Sequence, residues 1–263
     1  MLSRSKPAWA LALGRLQLAT PPMGARFGLR GSYDGDFTGL ASPLLSNLTL
    51  ILSNAAGSPL ALRLLRMAGV DYLVAADDAP WPLLQPVAEI PSVLRGPVRL
   101  LRVPGSFPDA YLVGRARRAV EPASVLLLGD SGFDPEREVI LAEVGVDDEE
   151  AVFEGRVRER TRRADRLEVE TAASSASYLV VLQAHDAAWR ASVDGAPADL
   201  VRANVLFQAV AVPAGRHVVT LVYRPAAVLW GAGISALSAA GLLAAGAIQG
   251  LRRGAGLSSH LNG

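Results

Sequence analysis

The sequence contains no cysteine, which excludes disulfides, thiolate zinc sites, iron–sulfur clusters and cysteine nucleophiles. Only three histidines are present, His185, His217 and His260, and they lie far apart, so a histidine-built metal site is not expected. Charged residues make up only 19% of the chain, and 26 Lys plus Arg against 25 Asp plus Glu leave a formal net charge of +1. There is no overall basic field to hold a nucleic-acid backbone. Also missing are a GxGxxG after a strand, a GxxxxGK[ST] phosphate loop, an HExxH and a GxSxG. No cofactor, no metal and no catalytic residue is implied by any motif. What remains is apolar: 51% of 263 residues are hydrophobic, which excludes intrinsic disorder and suits one large or two small domains.

That apolar content is concentrated near the C-terminus. Pro225 to Leu251 is a run of 27 residues without a charge. As a helix it would reach roughly 40 Å, against about 30 Å of bilayer hydrocarbon. Trp230 sits near one end, where an amphipathic ring favours the headgroup level, and Arg252 and Arg253 close the other. A buried core helix of this length would need a polar face that the sequence lacks, so the segment reads as a transmembrane helix. Only seven residues between Ala226 and Ile248 are Leu, Ile or Val. Small residues recur at Ala232, Ala236, Ala240 and Ala244, a face that lets helices approach closely in lipid, although an alanine-rich codon bias would produce the same stripe. Arg216 and Arg224 on one side balance Arg252 and Arg253 on the other, so charge alone does not orient the helix. Near the N-terminus, Arg4 and Lys6 precede an apolar run, Ala8–Leu13, too short for a convincing signal peptide. The chain is therefore expected either to stay cytoplasmic on a tail anchor or to be the end of something longer.

Residues 1–30 are expected to be loosely structured, and 31–97 to form a small α/β region. Gly31–Leu40 has a turn signature, Pro43–Ser53 has helical potential, and Leu60–Ala68 predicts a helix stopped by Gly69 before a strand over Val70–Ala75. A proline-rich loop runs from Pro80 to Pro97. Residues 98–224 then read as a β-rich domain, with strands over Val98–Val103, Ala110–Ala116, Glu138–Ala142, Val157–Arg162 and Leu167–Thr171. Arg156 to Arg166 is rich in arginine, either an anionic-surface patch or one solvated strand face. Tyr178–Ala184, Trp189–Val193, Leu206–Val212 and His217–Tyr223 follow at sandwich spacing, with turns at Asp194-Gly195 and Pro213–Gly215. The expected fold is thus α+β, mainly β: a small N-terminal α/β region, a C-terminal antiparallel β-sandwich, one transmembrane helix at 225–251 and a short tail at 252–263.

Candidate binding residues are few. Asp34 and Asp36 in YDGDF are a ligand or catalytic-acid pair, or else turn caps. The acidic run Asp147–Glu150 offers a cation site or a solvated turn, and Asn47-Leu48-Thr49 fits the glycosylation pattern. Trp189, beside His185 and Asp186, has the flat face that suits a sugar ring, or else anchors the sandwich core. Arg202 and Asn204 lie before a strand, where Asn204 shapes the turn or contacts a ligand.

Ala188–Gly195 (AWRASVDG), Val201–Asn204 (VRAN), Phe207–Val210 and Val212–His217 (VPAGRH) together resemble the C-terminal extracytoplasmic block of YfhO-type bacterial membrane proteins, which precedes a transmembrane helix. Ala188 stands where that block usually has glycine. Gly28–Asp34 and Leu64–Val74 resemble two earlier stretches of the family more loosely, so the resemblance spans most of residues 25–248. It implies a relation to GT-C-type glycosyltransferases that take sugar from a polyprenyl-phosphate donor to an envelope polymer. It also implies that the bulk of the chain is extracytoplasmic, with Arg252 and Arg253 inside. The family's catalytic acid lies in an early loop between membrane helices that this chain lacks, so no catalytic residue carries over. The expectation is an accessory module or fragment of such an enzyme, partnered by the lipid bilayer and a multi-span membrane protein. The alternatives are a non-enzymatic envelope protein whose sandwich binds glycan or another protein, and a freestanding enzyme using Asp34 and Asp36.

Overall fold

A computed structural model describes residues 31–32, 42–75, 80–91, 96–142 and 153–258. Asp34, Asp36, the acidic run at 147–150, most of the Gly31–Leu40 turn segment and the first 30 residues lie outside the described residues.

Two helices open the described part, α1 (Pro43–Asn54) and α2 (Pro59–Met67). Both begin the same way. Ser42 and Ser58 accept hydrogen bonds from Leu44 N and Ala61 N, and a proline follows each cap where its missing N–H costs nothing. Gly69 ends α2 with φ at +63°, and Val70 N donates back to Leu65 O at 3.0 Å. A Cβ at position 69 would meet the movable end of Leu182 at 2.8 Å and the Phe107 carbonyl oxygen at 3.1 Å, so the positive φ is what calls for glycine and the packing adds to it. The chain continues into β1 (Tyr72–Ala75), which joins β3 (Val98–Arg102) and β2 (Gln85–Ile90) in an antiparallel sheet ordered β1-β3-β2. Strand β2 occupies part of the expected proline loop. It is an edge strand whose register shifts between Pro86 and Ala88, and an edge bulge is where a strand tolerates proline.

The remaining strands form two larger sheets. The six-stranded sheet has the order β4-β9-β13-β12-β6-β5, from β4 (Ala110–Val113), β9 (Ser177–Val181), β13 (Phe207–Val212), β12 (Leu200–Ala203), β6 (Glu138–Leu141) and β5 (Arg115–Arg118). The five-stranded sheet has the order β11-β10-β14-β8-β7, from β11 (Ala196–Ala198), β10 (Trp189–Val193), β14 (Gly215–Tyr223), β8 (Arg166–Ala173) and β7 (Gly155–Arg162). The single strand expected over 110–116 is two, broken at Gly114, where a Cβ would come within 2.8 Å of Phe153. All pairings are antiparallel except β5 with β6, which run parallel across a crossover containing α3 (Ala123–Gly129).

The two sheets face each other as the sandwich. Leu167, Val169, Val219 and Leu221 from one side meet Leu179, Val181, Val210 and Val212 from the other, all buried. Strand β8 shows the alternation that drives this, with Leu167, Val169, Thr171 and Ala173 inward and Arg166, Glu168 and Glu170 outward. The six-stranded sheet is buried on its second face as well. Val113, Val139, Leu141, Val180, Val201 and Ala209 pack there, which explains why β6 has no exposed position. A further core lies under α1, α2 and α3, built on Leu48, Leu64, Leu65, Leu101, Phe133 and Ile140.

Strand β14 ends at Tyr223, and after Arg224 and Pro225 the chain enters α4 (Ala226–Ser258). Within it, Ala226–Ala244 is long and apolar enough to cross a membrane, and none of that stretch is buried in the protein. Trp230, Leu237, Leu242 and Leu243 are each at least 75% exposed.

Candidate functional site

The residues singled out from the sequence fall into three places. Trp189 is 5% exposed and sits in the sandwich core, its ring 5.2 Å from that of Tyr223 across the β10–β14 pair. It is a core anchor, mostly covered by protein. Trp189 also contributes to the wall of a cleft of about 610 Å³ at the end of the sandwich nearest α4, lined with it by His185, Asp186, Arg190, Asp199, Thr220 and Arg224 among others.

Asn204 lies 2% exposed in the β12–β13 turn with φ at +48°, a conformation asparagine accepts more readily than most residues. Its carboxamide ties the turn to β6 and β4, and its backbone adds a bond to β6. Oδ1 accepts from Ile140 N at 3.0 Å, Nδ2 donates to Tyr111 Oη at 3.3 Å, and its own N–H donates to Ile140 O at 2.8 Å. Burial pushes the Tyr111 phenol well above its ordinary range, with the Asn204 bond opposing weakly. Asn204 therefore shapes its turn and locks it to β6.

Arg202 lies two residues earlier, on β12. Its guanidinium lies 3.4 Å from Glu121 Oε1 at the mouth of a cavity of about 270 Å³ that Ser124, Ile140 and Val205 also line. Arg202 and Asn204 are thus brought near each other, whereas Trp189 belongs to the facing sheet.

A fourth relationship joins the motif segments VDG and PAGRH. Asp194 and Gly195 have φ of +51° and +84°, the paired positive values of a tight two-residue hairpin turn between β10 and β11. Asp194 Oδ1 accepts from Val218 N at 2.8 Å, and Oδ2 lies 2.7 Å from His217 Nδ1. The His217 Nε2 side lies 3.1 Å from Ala214 O, so the imidazole bridges the turn before β14 to the hairpin. The Val218 N–H and then His217 hold the Asp194 carboxyl below its usual range. Asp194, followed by the Ala214 carbonyl, raises His217 above its ordinary value.

Sequence reasoning missed several groups. Glu138, 3% exposed on β6, receives a two-pronged contact from Arg117, with Nε to Oε2 at 2.6 Å and Nη2 to Oε1 at 2.8 Å. Gln208 is fully buried on β13 facing the sandwich, and among the described residues neither amide atom has a hydrogen-bond partner. The arginine run of β7 proves to be a solvated face: Arg158 and Arg160 pair with Glu170, and Arg160 also reaches Glu168. Among the described residues no group of three or more His, Asp or Glu could hold a metal ion.

No protein-family model, curated protein or solved structure matches the chain.

Proposed function

We propose that the protein is a membrane-anchored extracytoplasmic module that works beside a multi-span, polyprenyl-phosphate-sugar-dependent glycosyltransferase acting on cell-envelope polymer. One observation carries the anchoring part. The last sandwich strand, β14, passes through only Arg224 and Pro225 before α4, a helix whose Ala226–Ala244 stretch carries no charge and is nowhere buried in the protein. In water that surface is costly to hydrate, and in lipid it is at home. So short a connection leaves the head no freedom to move away from the bilayer.

The family part rests on the resemblance of Ala188–His217 to the YfhO-type block. The residues of that block are used structurally here: Trp189 in the core, Asp194-Gly195 in the hairpin, Asn204 in the locked turn and His217 on Asp194. A module with those residues spent on architecture positions or assembles a partner. The small-residue stripe of α4, at Ala232, Ala236, Ala240 and Ala244, offers the partner's helices a close approach in lipid.

A photo-crosslinking residue at Ala236, in the full chain expressed in its native membrane, tests this reading. Cross-links to a polytopic glycosyltransferase are expected. Cross-links to lipid alone, or only to a second copy of the chain, would contradict it.

A further inference from the structure

The fold gathers arginines from three separate segments around the start of α4. Tyr223 N donates to Asp165 O at 2.8 Å and Arg224 N to Ala188 O at 2.9 Å, so the β7–β8 hairpin and the loop before β10 both clasp the strand end. Val222 is flanked across the sheet by Arg166 on β8 and Arg190 on β10. Directly opposed residues share a face, which places Arg166, Val222 and Arg190 in a row on the outer surface of the five-stranded sheet. Arg224 continues that face two residues nearer the helix. Arg163, in the hairpin, adds a fourth exposed guanidinium at the same end.

This end lies at headgroup depth if α4 spans the bilayer. Three residues lie between Val222 and Ala226, and the four steps span at most about 14 Å of chain. The polar layer of a bilayer is about 5–8 Å thick on each side, and arginine side chains reach toward it while their stems stay on the protein. Among the described residues four acidic ones are close: Asp165, Asp186 and Asp199, all exposed, with Asp186 and Asp199 on the wall of the same cleft as Arg190 and Arg224, and Glu168, which Arg166 shares with Arg160. Two carbonyl oxygens, of Ala187 and Trp189, accept from Arg190 Nη1, which orients the guanidinium without neutralising it. The four cations are thus matched in number by four carboxylates, one of which, Glu168, is also engaged by Arg160. The cleft of about 610 Å³ opens among them, and there Arg190 and Arg224 meet the hydroxyls of Ser192 and Thr220. Two guanidiniums and two hydroxyls form a donor set for phosphate oxygens.

We propose that Arg163, Arg166, Arg190 and Arg224 form a collar that binds the phosphate of anionic phospholipid in the leaflet where α4 enters. This deepens the anchoring reading and rests on it. The occupant is membrane lipid because the donors lie on one sheet face within four residues of the start of α4, where phospholipid phosphate is dense.

The test uses the full chain reconstituted into nanodiscs of equal phosphatidylcholine and phosphatidylglycerol, then released into mild detergent for native mass spectrometry of retained lipid. Wild type should retain phosphatidylglycerol preferentially, by about fivefold for each arginine engaged. R166Q/R190Q/R224Q, which leaves only Arg163, should lose most of that preference, and R166K/R190K/R224K should keep most of it. R156Q/R158Q/R216Q removes as many charges from the same face about 13–20 Å away along the strands and should behave as wild type. The lysine and distal variants keep the comparison decisive if the glutamine variant folds poorly. No preference in wild type, or equal loss in the distal variant, overturns the collar. Displacement of the retained lipid by millimolar inorganic phosphate overturns the assignment to lipid. A chain that never enters the nanodisc overturns the anchoring reading itself, before any lipid is counted.

Discussion

His217 Nδ1 lies 2.7 Å from Asp194 Oδ2, which joins the start of β14 to the β10–β11 hairpin turn. Two short motifs separated by more than twenty residues thereby become one structural lock, since Asp194 also accepts from Val218 N. Asp194 holds its positive φ and its two acceptor bonds together, so the turn and the ion pair are ordered by the same residue.

The lock has a defined pH window. His217 is raised above its ordinary value of 6.5, so its contribution is complete below that pH and fades as pH climbs through the raised value. Asp194 is lowered below 3.8, so its contribution is complete above that pH and is lost only as pH falls through the lowered value. The pair is therefore strongest between those limits. NMR titration of His217 should give a midpoint above 6.5, returning toward it in Asp194→Asn. A wild-type midpoint at or below that value would contradict the contact.

Asn204→Ala should destabilise the head by about 3 kcal/mol, because it strands the buried Ile140 N–H and puts alanine in the left-handed region. Asn204→Gly should recover the conformational part and leave the hydrogen-bond loss. Chemical denaturation of the two variants measures the difference, and equal costs would show that strain has no share. Tyr111→Phe removes only the Nδ2 acceptor and should cost about 1 kcal/mol.

Trp189→Ala should cost about 3–5 kcal/mol, the range for an aromatic deleted from a packed core. Trp189→Phe, which keeps most of the contact with Tyr223, should cost far less. If a soluble glycan bound through the ring, Trp189→Ala would abolish binding with little loss of stability, the reverse of what a core anchor does.

Gln208→Met should leave stability unchanged or raise it by about 1 kcal/mol, since a fully buried carboxamide without partners among the described residues costs desolvation that an isosteric apolar chain does not. Thermal denaturation decides the point. A clear loss would contradict an unpartnered carboxamide at this position.

Much of the architecture was legible because period and turn chemistry agree along the chain. Strand β10 and its Asp194-Gly195 turn match expectation, and the α2 stop at Gly69 follows from the need for positive φ. Strand β2 was hidden because three prolines flank or enter it, and only the edge position and bulge explain how it pairs. Helix α3 is seven residues long, too short for a periodic signal. The site residues divide in the same way. Trp189 and Asn204 could be named from their motifs, but whether each was buried depended on strands far away in sequence. The collar could not be seen at all: Arg166, Arg190 and Arg224 become neighbours only through the register of β8, β14 and β10.

Membrane anchoring requires Ala226–Ala244 to lie in lipid. The natural absence of cysteine allows a direct test, because a single Leu237→Cys variant carries the only thiol in the chain. In intact membranes that thiol should resist a water-soluble maleimide, and it should label readily once the membrane is dissolved in SDS. Labelling in intact membranes as fast as that of Ser174→Cys, on the exposed β8–β9 turn, would contradict insertion of the helix.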